Sequence, residues 1–255
     1  IGTYTHELIR NLSNTDIDND YLIFMPKCDL LNNLGKNFSV EFVDSISSDS
    51  FWDDIKVPNA LSSSDIGIYH VPQNGVGLSE NISCKKVITL HDIIPLRMPE
   101  TVSDRYIRIF NNELPKILDN CDGIITVSEF SKNDISKEFN FPLENIYVTP
   151  LAAEDIYKPL SKCQSKALIT QKYGIEEDFV LYVGGFSPRK NIKGLIEAYS
   201  KLPYELKETY KLVIIGRKGP SYYDYKHRAE ELGILDKVVF TDFIPLEDMP
   251  LFYNA

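Results

Sequence analysis

Cysteine is scarce and scattered: Cys28, Cys84, Cys121 and Cys163 stand tens of residues apart and form no C-x-x-C pair. That argues against a zinc ribbon or a thioredoxin-type redox site, and fits a reducing compartment where thiols act as small apolar groups. No apolar run approaches the roughly 20 residues of a bilayer-spanning helix. The start of the chain lacks the charged-then-apolar pattern of a secretory signal. An excess of positive charge is also missing, since 27 Lys and Arg face 37 Asp and Glu for a net charge of −10. A nucleic-acid binder needs a basic face to neutralise phosphates, so that class is disfavoured. Three signatures are absent as well: the Walker loop G-x-x-x-x-G-K-[ST], the dinucleotide fingerprint G-x-G-x-x-G and the nucleophile elbow G-x-S-x-G. Histidines number four, and His6-Glu7 lacks the second histidine of a zincin.

What is present is a globular composition, with 43% hydrophobic and 25% charged residues in 255. Short β-rich runs alternate with amphipathic stretches. Tyr21 to Met25 is a continuous apolar run closed by Pro26, and Phe38 to Val43 alternates like a half-buried strand. The serine- and aspartate-rich stretch from Asp44 to Ser64 reads as loop around a short helix. Further strands are expected at Asp65–His70, Lys86–His91, Gly123–Val127 and Asn145–Thr149. Helices are expected at Thr5–Leu12, Ser103–Asp119 and Ser128–Phe139, the second kinked by Pro115.

Between Pro150 and Gln171 this rhythm lapses. It restarts with strands at Phe179–Val183, Leu212–Ile215 and Val238–Phe240, and helices at Asn191–Leu202, Ser221–Leu232 and from Leu246. The reading is therefore α/β, with two doubly wound parallel sheets. Residues 1–155 form the first domain, 156–175 a linker, and 176–255 a second domain left incomplete by its three strands. The first residue is Ile rather than Met, and the natural protein is expected to continue past Ala255. In such sheets ligands bind beyond the carboxyl ends of the strands.

The strongest local signal lies at such an end: Gly184-Gly185-Phe186-Ser187-Pro188-Arg189-Lys190-Asn191. Two glycines permit a sharp bend and close approach to a ligand. Asn191 is a good N-cap, and the helix N-terminus behind it favours an anion. Arg189 and Lys190 add two positive charges there, an assembly suited to a diphosphate; the plain alternative is a solvated turn. A second signal is His91-Asp92-Ile93-Ile94-Pro95, where an imidazole past a strand meets a sugar hydroxyl or shuttles a proton, with Asp92 as its orienter. A structural histidine is an equal alternative. Ser128-Glu129 opens a helix, with capping favoured over contact with an acceptor or a phosphate. For Arg217-Lys218 a solvated loop is favoured over reach to a phosphate, and His70 and Asn74 beside Gly75-Val76-Gly77 give only a weak hint of a cleft-bordering loop.

The order of these stretches resembles glycosyltransferase family 4, the group 1 glycosyltransferases of GT-B fold, and within it bacterial mannosyltransferases of surface-polysaccharide assembly. The matching pieces are Ile1-Gly2-Thr3-Tyr4-Thr5, His91 through Glu100, Thr126 to Ser131, Val183 to Asn191, and Phe243-Ile244-Pro245. The resemblance implies two Rossmann-like lobes and a retaining transfer from a nucleotide sugar, held by the second lobe, to an acceptor bound by the first. Arg189 and Lys190 then hold the donor diphosphate, with Gly185 in their loop and Gly2 in the glycine loop beside it. His91, with Asp92, serves catalysis by contacting the transferred sugar, Phe243 and Ile244 border the base, and Ser128 and Glu129 lie on the acceptor side. It further implies no metal and no cofactor beyond the donor, an oligosaccharide or lipid-linked acceptor, and a cytoplasmic protein in peripheral contact with the inner face of the membrane. GDP-mannose is the expected donor. A sugar-nucleotide epimerase of the same architecture and a non-catalytic nucleotide-sugar binder are the alternatives. Two departures stand out: Gly185 replaces an arginine of many relatives, and the family's paired glutamates are expected only after Ala255, so a protein ending there is not expected to turn over.

Overall fold

The computed structural model describes residues 2–26, 33–43, 57–62, 65–79, 82–219 and 221–255. Cys28 and most of the stretch 44–64 lie outside the described residues. The chain divides into two compact units, Ile1–Leu151 and Ala152–Ala255.

In the first unit the helix Gly2–Thr15 leads into β1 (Tyr21–Pro26), which pairs in parallel with β2 (Phe38–Val43). The rings of Tyr21 and Phe38 stack 4.3 Å apart at the start of that ladder. A second parallel sheet holds β3 (Ile68–Val71), β4 (Lys85–Thr89), β5 (Gly123–Thr126) and β6 (Ile146–Val148) in consecutive order. The unit was expected to hold one sheet, yet no pairing joins β1 or β2 to the other four strands among the described residues. Phe24 of β1 instead packs toward Val57 and Leu61 of the short helix Val57–Ser62.

One face of the four-stranded sheet buries Val71, Ile88, Ile124 and Ile146 against Phe110, Leu114, Ile117 and Ile135 from the helices. Each such side chain, fully buried, contributes roughly 1.5–3 kcal/mol. The helix expected over 103–119 is interrupted just ahead of Pro115. Asp104–Arg108 passes into a π-turn at Ile109–Glu113 and resumes at Leu114–Asn120, with the Leu114 N–H donating to the Ile109 carbonyl five residues back. Proline has no N–H for the ladder and its ring crowds the preceding turn; the widened turn absorbs both effects.

The second unit corrects the expected linker. Residues 162–173 form a helix, Lys162–Tyr173, capped by Ser161, whose side chain accepts from the Gln164 N–H, and ended by Gly174 at φ 68°. Ile169 is its one fully buried apolar residue, so the periodicity was too sparse to reveal it. Three parallel strands follow, β7 (Asp178–Val183), β8 (Tyr210–Ile215) and β9 (Val238–Asp242), ordered β7-β8-β9. Along β8 the side chains alternate between two cores. Leu212 and Ile214 pack with Ile192, Ile196, Tyr199 and Tyr225, while Val213 and Ile215 pack with Ile169, Ile244, Met249 and Phe252. Burial on both faces is why β8 reads as an unbroken apolar run. The helices Ile192–Ser200 and Tyr222–Glu231 cover one face, and Lys162–Tyr173 with Met249–Asn254 cover the other.

Candidate functional site

The candidate donor site is built at the carboxyl end of β7, β8 and β9. There the Gly184 N–H donates to the Ile215 carbonyl at 2.9 Å, and the Gly216 N–H to the Asp242 carbonyl at 3.3 Å. Phe186 is buried between the rings of Tyr222, Tyr225 and Phe240 and anchors the loop after β7. Beyond it Pro188–Lys190 makes a 3-10 turn, and Asn191 takes left-handed backbone angles of 52° and 41°. Asparagine tolerates that conformation better than most residues. Its side chain then accepts from the Gly194 N–H at 3.2 Å, capping the helix Ile192–Ser200.

This geometry leaves Arg189 and Lys190 exposed immediately before a helix N-terminus, with no ion-pair partner for either among the described residues. Two cations beside the positive end of a helix dipole repel it and each other. An anion bound among them removes that repulsion, and helix N-termini are ready anion sites. Burial pushes the Tyr182 hydroxyl above its ordinary pKa, with the nearby Arg189 charge acting in the opposite sense. Ser187 Oγ is buried and has no partner among the described residues, so this loop holds one further open hydroxyl.

The glycines of this loop behave differently from the expectation. Gly184 and Gly185 are absent from the left-handed φ region, and a Cβ on Gly185 meets nothing within 4 Å. The close approach belongs to Gly216, where a Cβ falls 2.0 Å from the Gly184 carbonyl oxygen. Sequence reasoning missed Gly216 because its neighbour lies on another loop. Since Gly185 has room, Gly185→Arg is expected to leave the melting temperature within about 2–4 °C of wild type, the surface-substitution range for a unit of this size. It is also expected to tighten nucleotide-sugar binding, as read by calorimetry; weaker binding sinks the placement of this loop at the phosphates.

The loop after β9 divides the two residues expected to border the base. Phe243 is 72% exposed, whereas Ile244 is 5% exposed and belongs to the core with Val213 and Met249. Ile244 thus anchors the loop and only Phe243 is open to a ligand. Asp242, at φ 69°, accepts from the Lys218 N–H at 3.1 Å and the Phe243 N–H at 2.9 Å. The Lys218 hydrogen bond leads the effects that hold its carboxyl below the ordinary carboxylate range. Lys218 Nζ sits 4.9 Å from the Tyr222 ring centre and 3.9 Å from Asp242, so it is engaged locally.

In the first unit His91 follows β4. Its ring and that of Tyr4 stand nearly perpendicular, at 87° with centres 4.7 Å apart, which brings the start of the helix Gly2–Thr15 to the imidazole. Gly2 is exposed, and nothing lies within 4 Å of a Cβ built there. Burial pushes the His91 pKa below its ordinary value, which favours the neutral ring, while the Asp92 charge pulls the other way. Its Nε2 is buried with no partner among the described residues. Asp92 does not orient the imidazole by a hydrogen bond. Its carboxylate accepts from the Ile94 N–H at 3.0 Å and starts the short helix Ile94–Arg97, because an Asx turn two residues long is the nearest geometry available. Ser128 is occupied as an N-cap, accepting from the Ser131 N–H at 3.1 Å, and Glu129 is exposed in the first turn of Glu129–Phe139.

A family model described as Glycosyltransferase Family 4 matches residues 1–153, and one described as Glycosyl transferases group 1 matches residues 165–255. Among curated relatives, O-antigen chain mannosyltransferase B of Escherichia coli is 34% identical over 173 residues, covering 67% of this chain and 45% of the relative. The serotype-specific mannosyltransferase WbdA of Escherichia coli is 26% identical over 180 residues, covering 69% of this chain and 22% of the relative. The chain thus spans less than half the length of either. Among solved structures, Anabaena HepE in complex with UDP and glucose superposes with a TM-score of 0.63 at 18% identity, covering 97% of this chain and 67% of that one. A glycosyltransferase from Rickettsia africae gives 0.66 at 16% identity, covering 98% and 66%. These likenesses agree with the α/β architecture of parallel sheets and establish the GT-B fold.

Proposed function

The chain belongs to glycosyltransferase family 4, and from that premise we propose that it moves mannose from GDP-mannose to a glycan or lipid-linked acceptor, with retention at the anomeric carbon. The observation that carries the reading is the pair of unpaired cations, Arg189 and Lys190, held before a capped helix at the carboxyl end of β7. As the glycosidic bond breaks, charge grows on the β-phosphate of the leaving nucleoside diphosphate. Fixed cations and helix N–H groups stabilise that charge more in the transition state than in the ground state. Two fixed cations do this without a metal, so none is included in the scheme.

His91 contacts the transferred sugar in this scheme, since a neutral imidazole with an open Nε2 accepts from a sugar hydroxyl. Gly185 borders the diphosphate, Phe243 lies against the base, and the exposed Glu129 faces the acceptor. The mannose assignment follows the two Escherichia coli relatives, both mannosyltransferases, one of them of an O-antigen chain. No helix among the described residues is long and apolar enough to cross a membrane. Activity at the cytoplasmic face, with peripheral contact to reach a lipid-linked acceptor, completes the proposal.

A thermal-shift panel of GDP-, UDP- and ADP-sugars on the full-length gene product tests it. A ligand at 100 times its Kd stabilises the folded protein by about 2.7 kcal/mol. GDP-mannose is expected to raise the midpoint by several degrees, more than UDP-glucose or ADP-glucose. A larger shift with UDP-glucose replaces the donor; no shift with any of them ends the donor assignment.

A further inference from the structure

Natively folded proteins pair nearly all of their buried polar atoms. In the first unit three lack partners among the described residues: Asn74 Oδ1, Ser79 Oγ and His91 Nε2. All three sit on segments leaving the carboxyl ends of β3 and β4, where ligands bind in parallel sheets. Asn74 is 6% exposed, has φ 54°, and donates its backbone N–H to the Thr89 carbonyl at 2.9 Å, so its side chain is tightly placed.

The Asn74 Nδ2 donates to the Tyr106 Oη at 2.8 Å. A donor on the phenol oxygen directs the phenol proton elsewhere, and that proton has no acceptor among the described residues. The Tyr106 ring is itself fixed, 5.3 Å from that of Phe110. An open phenol donor matches a sugar hydroxyl, whose oxygen accepts.

We propose that Tyr106, positioned by Asn74, donates a hydrogen bond to a hydroxyl of a bound sugar at the carboxyl end of β3 and β4, on the acceptor or on the transferred residue. Tyr106 binds and Asn74 positions it. The inference rests on the glycosyltransferase reading above and names a recognition contact within it.

The test is Tyr106→Phe in the full-length gene product, which removes one oxygen and keeps the ring. KM for donor and acceptor, kcat and melting temperature are measured in parallel. One KM is expected to rise about fivefold to tenfold, the scale of one net hydrogen bond, with the melting temperature held. A rise for the acceptor puts the hydroxyl there; a rise for the donor puts it on the transferred sugar. Both KM values within about twofold of wild type overturn the proposal. Asn74→Ala is expected to raise the same KM, and if that variant does not fold, Tyr106→Phe decides alone. If the wild type releases no nucleoside diphosphate from any nucleotide sugar, the transferase reading fails. Saturation-transfer NMR with methyl α-mannoside then decides: a wild-type signal lost in Tyr106→Phe supports the contact, while an equal signal or none overturns it.

Discussion

Lys190→Ala in the full-length enzyme is expected to cut kcat/KM by about 100-fold, with the fold intact and the melting temperature unchanged or slightly raised. The figure follows from the charge that develops on a leaving diphosphate: losing one preorganised donor to such a charge costs about 3 kcal/mol of transition-state stabilisation. Lys190 is suited to that role because nothing else occupies it. It is exposed, lies in the turn before Asn191, and has no acidic partner among the described residues. The stability side of the prediction has the opposite sign. A cation beside a helix N-terminus opposes the macrodipole, so its removal stabilises the free protein by a few tenths of a kcal/mol. A structural lysine lacks this combination of large kinetic loss and neutral or improved stability. Lys190→Arg keeps the charge and is expected to retain more activity than alanine. If the alanine variant loses less than about threefold, roughly 0.7 kcal/mol, the diphosphate role of Lys190 is wrong.

Much of the architecture was open to sequence reasoning because burial on both faces of a parallel strand leaves an unbroken apolar run. That is how β8 was located; β7 carries a similar run at the sheet edge with Val180 and Val183 exposed, and Phe38–Val43 matched its strand residue for residue. The helix Lys162–Tyr173 escaped because its buried face holds only Ser165 and Ile169, too few to set a period. The separation of β1 and β2 from β3–β6 is a matter of pairing between distant segments, which no local pattern encodes.

The candidate site divides along the same line. Arg189, Lys190 and Asn191 were legible because turn, charge and cap are neighbours in sequence. Ile244 was misplaced because a residue beside an exposed loop tip looks like a ligand contact until its burial against Met249 is known. The expected pairing of Asp92 with His91 failed because a carboxylate two residues before a free N–H finds that partner first. Tyr106 and Asp242 gave no signal at all. Their significance lies in Asn74, 32 positions away, and in the Lys218 N–H, 24 positions away.

Gly216 belongs with these hidden residues, and Gly216→Ala is the stability change expected to be largest. The backbone here needs no left-handed glycine, since Gly216 is absent from the positive-φ residues. The constraint is space. A Cβ would lie 2.0 Å from the Gly184 carbonyl oxygen and 3.1 Å from its carbonyl carbon and from the Phe186 ring. Backbone atoms have no rotamer to change, so the loops after β7 and β8 must separate. That movement breaks the Gly184 N–H bond to Ile215, weakens the Gly216 N–H bond to Asp242, and lifts Phe186 from its aromatic seat. Overpacking of this kind costs about 3 kcal/mol, the upper part of its usual range. For a unit of this size that lowers the melting temperature by on the order of 10–20 °C. Donor affinity is expected to fall as well, because Arg189 and Lys190 ride on the displaced loop. Gly185→Ala is the control one loop away: its Cβ enters open space, so its melting temperature stays near wild type. Equal melting temperatures for Gly216→Ala and Gly185→Ala would show that the two loops are not pressed together as described, and the placement of the cationic turn at the strand ends would fall with that contact.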